Sequence, residues 1–525
     1  MSYSIGTPQV QGTNDSGDAT NLATTAEGHL EVAIHAPRLP FGSLHAEKLT
    51  PIFQSDAVYG LNSELTSSGV TGSGWAYTSD SNFVVQTGTQ LYSQGNIQSV
   101  KRLRYRAGQG IVGRFAGFFT SGVTGQYNLA GFGHAEDGVF FGYKDTDFGI
   151  VYSSRGKREV QTLTVSTGAT SNGNVTITLN GVAYTVPVTN ASNVYRTAWE
   201  IATYSGYIGW KAEPNGATVV FVADSVGNRT LTFSFGAGAT GAAAAFSETQ
   251  AGQAATEVFI KQSDWNGDKL DGTGASGVLL NPTKGNVYQI GIQYLGYGAL
   301  SFYVEVVPVN GNNPDFVLVH TIENPNSRVL STFGNPSFPF TMAAYSAGST
   351  TNVSVNVASF AGFIEGNKTL HGGRFTYYNQ LTTVGSTNFQ ALFTILNTRY
   401  YKGRTNQAVI NMLNVSGALK HTSPCIFYLI KNGTLAGNPN FQQLASNSVS
   451  YWDTAATTVT YSTGDQLLAT FHLGDTNNFD HHFGNGEFNS EEVTLQPGEW
   501  ITLAAKAVTG TPSYVTGSIN TREDQ

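Results

Sequence analysis

Along most of this chain, short stretches alternate apolar and polar residues and are separated by glycine, asparagine or aspartate. That period of two constrains the fold more than any other feature. Side chains of a strand point alternately to its two faces, so a helix cannot bury such a pattern on one side. The clearest case is residues 175–188, where Val175, Ile177 and Leu179 alternate with threonine or asparagine neighbours up to Asn180 and Gly181. Val182, Tyr184, Val186 and Val188 follow, so the spacing predicts a hairpin closed by a type I′ turn. Only residues 192–204 show helical spacing, with Val194, Ala198, Ile201 and Ala202 on one face and Ser192 or Asn193 as the cap. The chain therefore reads as all-β with one helix.

Composition supports this. Charged residues are 12% of the 525, about half the usual share of roughly 25%. Hydrophobic residues are 40% and aromatics 12%, enough for large cores and unlike a disordered chain. The net charge of −8 provides no basic footprint for displacing counterions, so no nucleic-acid partner is expected. No run of about 20 apolar residues exists, so no membrane insertion is expected. The one cysteine, Cys425, lies in an apolar run and reads as a buried small hydrophobe rather than a reactive thiol. The first residues lack a basic region and an apolar core, which predicts synthesis in a reducing cytoplasm.

Four segments are expected. Residues 1–55 form an N-terminal arm, broken by Pro37, Pro40 and Pro51, with brief alternation at 27–34. It is either a flexible leader or an arm docked on its own domain or a neighbouring subunit. Residues 56–160 and 259–366 form one β-sandwich, split by an inserted module at 161–258. The insert reads as ββαββ, from strands at 175–179, 182–188, 218–223 and 230–235 around the helix, with the alanine-rich 236–245 as its exit. Residues 367–525 read as a second, jelly-roll-like sandwich. In residues 97–106, Arg102, Arg104 and Arg106 share one strand face; they are expected to pair with local acids, or else to meet an acidic partner.

The second half of the split sandwich carries an ordered set of motifs. Trp265, Asn266, Gly267 and Asp268 are followed by Leu270 to Gly274, then Tyr288, Gln289 and Ile290, then Tyr294 to Gly298, and later Val319 and His320. This set resembles a family of viral structural proteins, found mainly in tailed bacteriophages, that carry a concanavalin-like β-sandwich. The resemblance covers about residues 100–160 and 258–366. The insert resembles a small module of phage tail and fibre proteins. Residues 496–505 and 517–524 look similar to C-terminal domains of virion and appendage proteins, which by analogy associate as trimers. The resemblance implies a non-enzymatic virion protein (a fibre, spike, or capsid- or tail-attached subunit), made in the host cytoplasm. Its partners would be copies of itself, other virion proteins and a host-surface glycan, with no cofactor. The alternative is a glycan-active enzyme or a free lectin-like protein, because a sandwich does not fix function.

Two polar constellations are candidate sites. In residues 263–277, Asp264, Asn266 and Asp268 copy the first half of a calcium loop, but Lys269 stands where glycine is required and Ala275 where the bidentate glutamate belongs. Three readings stand for it: a calcium loop; turn chemistry with Trp265 packed beneath; or a glycan contact through Trp265, Asp268 and Asp271. The second constellation is His472, Asp475, Asp480, His481 and His482. It reads as a metal site, an exposed binding loop or plain loop polarity, although His481 and His482 on a strand would point opposite ways. No nucleophile elbow, zinc-protease motif, P-loop or paired-cysteine motif occurs. Carboxylates suited to glycosidase chemistry exist, such as Glu257 and Asp264, but their spacing in a cleft is not legible from sequence.

Overall fold

The computed structural model describes residues 48–525 except 310–312, 369–371, 421–422, 463–464, 475–477, 484–492 and 525. Nearer the N-terminus it describes only the backbone of a strand pair, Gln11–Thr13 with Ala19–Asn21, which belongs to a separate compact unit, Met1–Lys48. The alternation expected at 27–34 lies outside the described residues. The larger unit is Leu49–Gln525. It is almost entirely antiparallel β, with one α-helix, Val194–Ala202, among the described residues.

The first sandwich has two sheets. One runs Thr256–Lys261, Asp147–Ser154, Gly138–Lys144, Gln126–Gly133, Phe340–Ser346, Gln94–Ser99, Thr66–Thr71. The other runs Asp315–Ile322, Leu300–Val306, Asn286–Ile292, Ile111–Phe119, Ser354–Glu365, Asn82–Gln86, Trp75–Ser79. In strand Ile111–Phe119 burial alternates residue by residue, as the period of two requires. Phe115 and Phe119 thereby meet Tyr288 from the next strand and Phe340 and Phe148 from the facing sheet. Phe340 also stacks on Phe360 at 4.2 Å between ring centres. Each such buried ring contributes about 1.5–3 kcal/mol. Gly113 is obligatory here, because a Cβ would lie 2.2 Å from the Phe132 ring.

Strand Leu49–Asp56 also belongs to this sandwich, paired with Ser354–Glu365, and Phe53 enters the core. The sequence reading placed most of it in the arm because Pro51 interrupts it. The proline sits opposite Phe363, where the pairing register shifts, and a proline is tolerated at such a bulge off the main path of the sheet.

The inserted module is richer than ββαββ. It has a four-stranded sheet, Trp210–Asn215, Thr218–Val226, Arg158–Thr167, Ala243–Gln250, and a three-stranded sheet, Val182–Val188, Gly173–Leu179, Ser234–Gly236. The 175–188 hairpin forms in the expected register, with Asn180 and Gly181 both at positive φ. Asn193 caps the helix, its side chain accepting from the N–H groups of Tyr195 and Arg196. The alanine-rich exit is in part a strand: Ala243–Gln250 pairs with Arg158–Thr167. Its only β-branched residue is Thr249, so the strand signal is weak and pairing and packing decide its state. Leu163, Val175, Ile177, Ile201 and Phe221 build a core of the module's own. The chain leaves and re-enters the first sandwich on neighbouring strands, Ser154 opposite Thr256.

The C-terminal sandwich packs the sheet Arg374–Tyr378, Ser513–Asp524, Val409–Lys420, Asn478–His482 against a second. The second sheet runs Thr434–Gly437, Ala456–Thr460, Gln390–Asn397, Trp500–Ala507, Cys425–Lys431, Gln466–Leu473. Its core includes Phe427, Leu429, Leu503, Ile519 and Cys425, whose thiol is pushed up to about 11 by burial.

Candidate functional site

The loop after strand Thr256–Lys261 is built as a turn. Trp265 is 2% exposed and meets Phe141 and Phe148 edge-on, at 6.2 and 6.3 Å. It is packed beneath the loop and offers no stacking face, so the glycan contact expected of Trp265 is not available. Asp268 Oδ1 accepts the Leu270 N–H at 2.9 Å and Oδ2 accepts the Ser276 N–H at 2.7 Å. Partial burial pushes the Asp268 pKa up, but the donors from Ser276 and Leu270 outweigh it and hold the carboxyl below its usual range. A Cβ on Gly274 would lie 2.0 Å from Asp268 Oδ1, so the glycine is what lets the carboxylate close the loop. Asp271 accepts from the Thr273 hydroxyl at 2.6 Å and the Thr273 N–H at 2.9 Å, which lower its pKa. Both carboxylates are consumed by local donors, in place of the cation of the calcium reading. Asp264 sits on a short 3₁₀ turn, Gln262–Asp264, with only the Ser263 hydroxyl at 3.3 Å from Oδ1.

The second constellation is drawn apart. Asn478–His482 pairs with Val409–Lys420, and alternation turns Asp480 and His482 outward. His482 Nε2 lies 3.3 Å from Asp480 Oδ2, and Asn414 donates to Asp480 Oδ1 at 2.9 Å. His481 turns the other way, between the rings of Phe471 and Phe483 at 5.6 and 5.0 Å. Asp475 lies outside the described residues. Among the described residues no group of three or more histidine, cysteine, aspartate or glutamate side chains is placed to hold a metal ion. Glu257 is engaged by Lys144 at 2.6 Å.

What the fold does gather is a junction of all three modules. On the helix, Trp199 turns away from the module's own core; it is 3% exposed and stacks on Phe441 at 5.6 Å, with Trp500 edge-on at 5.8 Å. Arg196 donates to the carbonyls of Leu435 and Gly437 at 3.3 and 3.2 Å. On strand Trp210–Asn215, buried Glu213 accepts the N–H of Arg399, and the Gly216 N–H donates to Phe441 O at 2.8 Å. Burial raises the Glu213 pKa to about 7, against the pull of the Arg399 charge and N–H.

Beside this, Glu136 of the first sandwich accepts the Thr405 hydroxyl at 2.6 Å and lies 3.6 Å from Arg158 Nε and 3.7 Å from His134 Nδ1. Burial, with help from Arg102 and Arg158, lowers the His134 pKa to about 3, so the imidazole is neutral. Asp137 accepts three backbone N–H groups, from Arg155, Gly334 and Asn335, at 2.8, 2.9 and 2.9 Å. The row on residues 101–106 finds its acid far away in sequence. Asp524 lies 3.0 Å from Arg106 and 3.8 Å from Arg104, across 418 residues in the first case.

A cleft of about 540 Å³ opens over this junction, with Glu136 and Asp137 at its floor and Arg155, Lys157, Gln253 and Arg404 on its walls. One rim is the tight hairpin Tyr400–Tyr401 to Arg404–Thr405, turned by Lys402 and Gly403 at positive φ. The cleft presents cations and amides, while its carboxylates are held by protein donors. Such a lining suits recognition of a hydroxylated or acidic ligand more than proton transfer. Nothing local in the sequence marks these residues: Glu136 with Thr405 and Glu213 with Arg399 join different modules, and Asp137 meets Gly334 and Asn335, 197 and 198 residues away in its own sandwich. Among the described residues no helix is long and apolar enough to cross a membrane. No family model and no curated protein matches this chain.

Proposed function

We propose that this chain is a non-enzymatic structural subunit of a virus particle, such as a fibre, spike, or capsid- or tail-attached protein. It assembles with copies of itself and with other virion proteins. The observation that carries this reading is the junction. Modules within one chain move against each other by default unless a large apolar interface holds them. Here three separately cored modules are fastened by buried aromatic stacking and buried charge, which makes them one stiff body suited to passing a fixed geometry to its neighbours. A second support is the free edge of the first sandwich. Among the described residues Thr66–Thr71 and Trp75–Ser79 end its two sheets, and Val70 and Trp75 on them are exposed, Trp75 to 63%. Unpaired edges with apolar side chains are templates for another copy of the same chain. Light scattering on the purified chain tests this. A mass of two or more times 55.8 kDa, reduced by Trp75→Lys, is expected. A monomer that depolymerises a polysaccharide would refute it.

The second reading, glycan attachment, draws on the cleft over Glu136 and Asp137. A glycan array probed with the intact protein and with Arg404→Ser is the test, since loss of signal in the variant places the contact at that cleft.

A further inference from the structure

A second, smaller cavity lies where the first sandwich meets the C-terminal one, and its charge is unbalanced. Ile52 and Ile364 line it with Arg102, Arg104 and Arg106 from one side, and Asn411, Thr494, Gln496 and Asp524 from the other. Asp524 is the only carboxylate among the described residues lining it. Arg102 is the telling residue. Its Nε and Nη1 are buried, and among the described residues no acceptor reaches either. Burial and the neighbouring Arg158 and Arg104 lower its pKa to about 10, against the pull of the Glu136 carboxylate, which still leaves it charged at neutral pH. The buried Nη1 of Arg104 also lacks a hydrogen bond, its nearest carboxylate oxygen on Asp524 being 3.8 Å away. Across the cavity, Gln496 Oε1 is buried without a donor among the described residues. Turning that amide over would present its NH₂ to the same space, and amide orientation follows whatever ligand is there.

Buried guanidinium N–H groups without acceptors are costly, and native structures supply a partner for them. The free space is about 60 Å³. One enclosed water takes roughly 10–15 Å³ by the same measure, so the space suits about four or five atoms. Planar guanidinium groups with a hydroxyl and amides around them form a donor set for oxyanions. We propose that this cavity binds a tetrahedral oxyanion, phosphate or sulfate, either free or as an ester group on a glycan, and that the bound anion fastens the first sandwich to the C-terminal one. This does not depend on the particle reading.

Thermal unfolding and titration calorimetry of the full chain test the proposal. The probes are sodium phosphate and sodium sulfate against sodium chloride of equal ionic strength, and a sulfated oligosaccharide against its unsulfated form. A saturable rise in Tm with either oxyanion, absent in matched chloride, is expected. Binding of the sulfated sugar alone would assign the anion to an ester; equal binding of free sulfate would show that the anion itself is recognised. Arg102→Gln should abolish the effect. Gln496→Glu, which puts a like charge into the cavity without removing a buried cation, should weaken binding by roughly tenfold or more. A folded protein showing no saturable response to any of these anions, or unchanged affinity in Gln496→Glu, overturns the proposal.

Discussion

Replacing Trp199 by alanine should separate the inserted module from the C-terminal sandwich while leaving each folded. The indole stacks on Phe441 and meets Trp500 edge-on, yet it is not among the residues of the module's own core. Truncating a buried tryptophan costs about 3–5 kcal/mol. Within that, each aromatic pair is worth about 0.5–1.5 kcal/mol beyond the area it buries. The whole loss falls on docking, because Ile201 and Ala198 still hold the helix to its sheets. The Arg196 bonds to Leu435 and Gly437, the Gly216 N–H bond to Phe441 and the Glu213 bond to Arg399 remain, each worth about 1–3 kcal/mol. Calorimetry should then resolve a separate transition for the module, and hydrogen exchange should quicken at Phe441 and at Gly216, whose N–H crosses the junction. Ile201→Ala is the contrast: it should lower the stability of the module itself. Were Trp199→Ala to leave calorimetry and exchange unchanged, or to unfold the module as Ile201→Ala does, the assignment of this ring to docking would be wrong.

Three further outcomes follow from the described contacts. Glu213 has a folded pKa raised to about 7, so its neutral form is favoured in the fold and its contribution to stability is lost as pH climbs from about 4.5 through 7. Glu213→Gln should flatten the stability profile over that window, by on the order of a few kcal/mol in denaturant titrations. Cys425 should resist thiol reagents in native buffer and react fully in denaturant, since burial holds the thiol protonated; rapid native labelling would contradict that. Asp268→Ala should cost about 1–3 kcal/mol through the orphaned N–H groups of Leu270 and Ser276, and millimolar calcium should leave the parent Tm unmoved. A calcium-dependent rise in Tm would restore the cation reading of that loop.

Local rules made part of this molecule legible. The Asn180-Gly181 hairpin and the Asn193 cap depend on neighbours a few residues away, and each is where the pattern placed it. Cys425 is buried as its apolar run implied, though the strands paired with its own come from elsewhere in the sequence. Strand Leu49–Asp56 was hidden by Pro51, and Ala243–Gln250 by its small side chains, because both are strands through pairing rather than propensity. The aspartates of the 263–277 loop looked like ligands in sequence, since carboxylates that close turns and carboxylates that bind cations share one spelling. Of the three readings open for that loop, the one with Trp265 packed beneath is what the structure shows. Sequence alone could not select it, because whether an aromatic is under or over a loop depends on the facing sheet, here Phe141 and Phe148. The junction could not be read at all. Glu213 with Arg399, Trp199 with Phe441 and Arg106 with Asp524 are pairings across modules, and no local periodicity encodes them.

The side-by-side exit and return of the inserted module, Ser154 opposite Thr256, has a consequence for how such a chain diversifies. Ends that close together let a whole module be exchanged for a tight turn without disturbing the sheet that receives it. Trp199 limits that freedom. Any replacement must present an apolar surface at the place where Phe441 and Trp500 wait, or leave two aromatic rings facing water. The module is thus a keystone rather than an ornament: its outer strands and turns can vary with the task, while the helix face that touches the third module cannot.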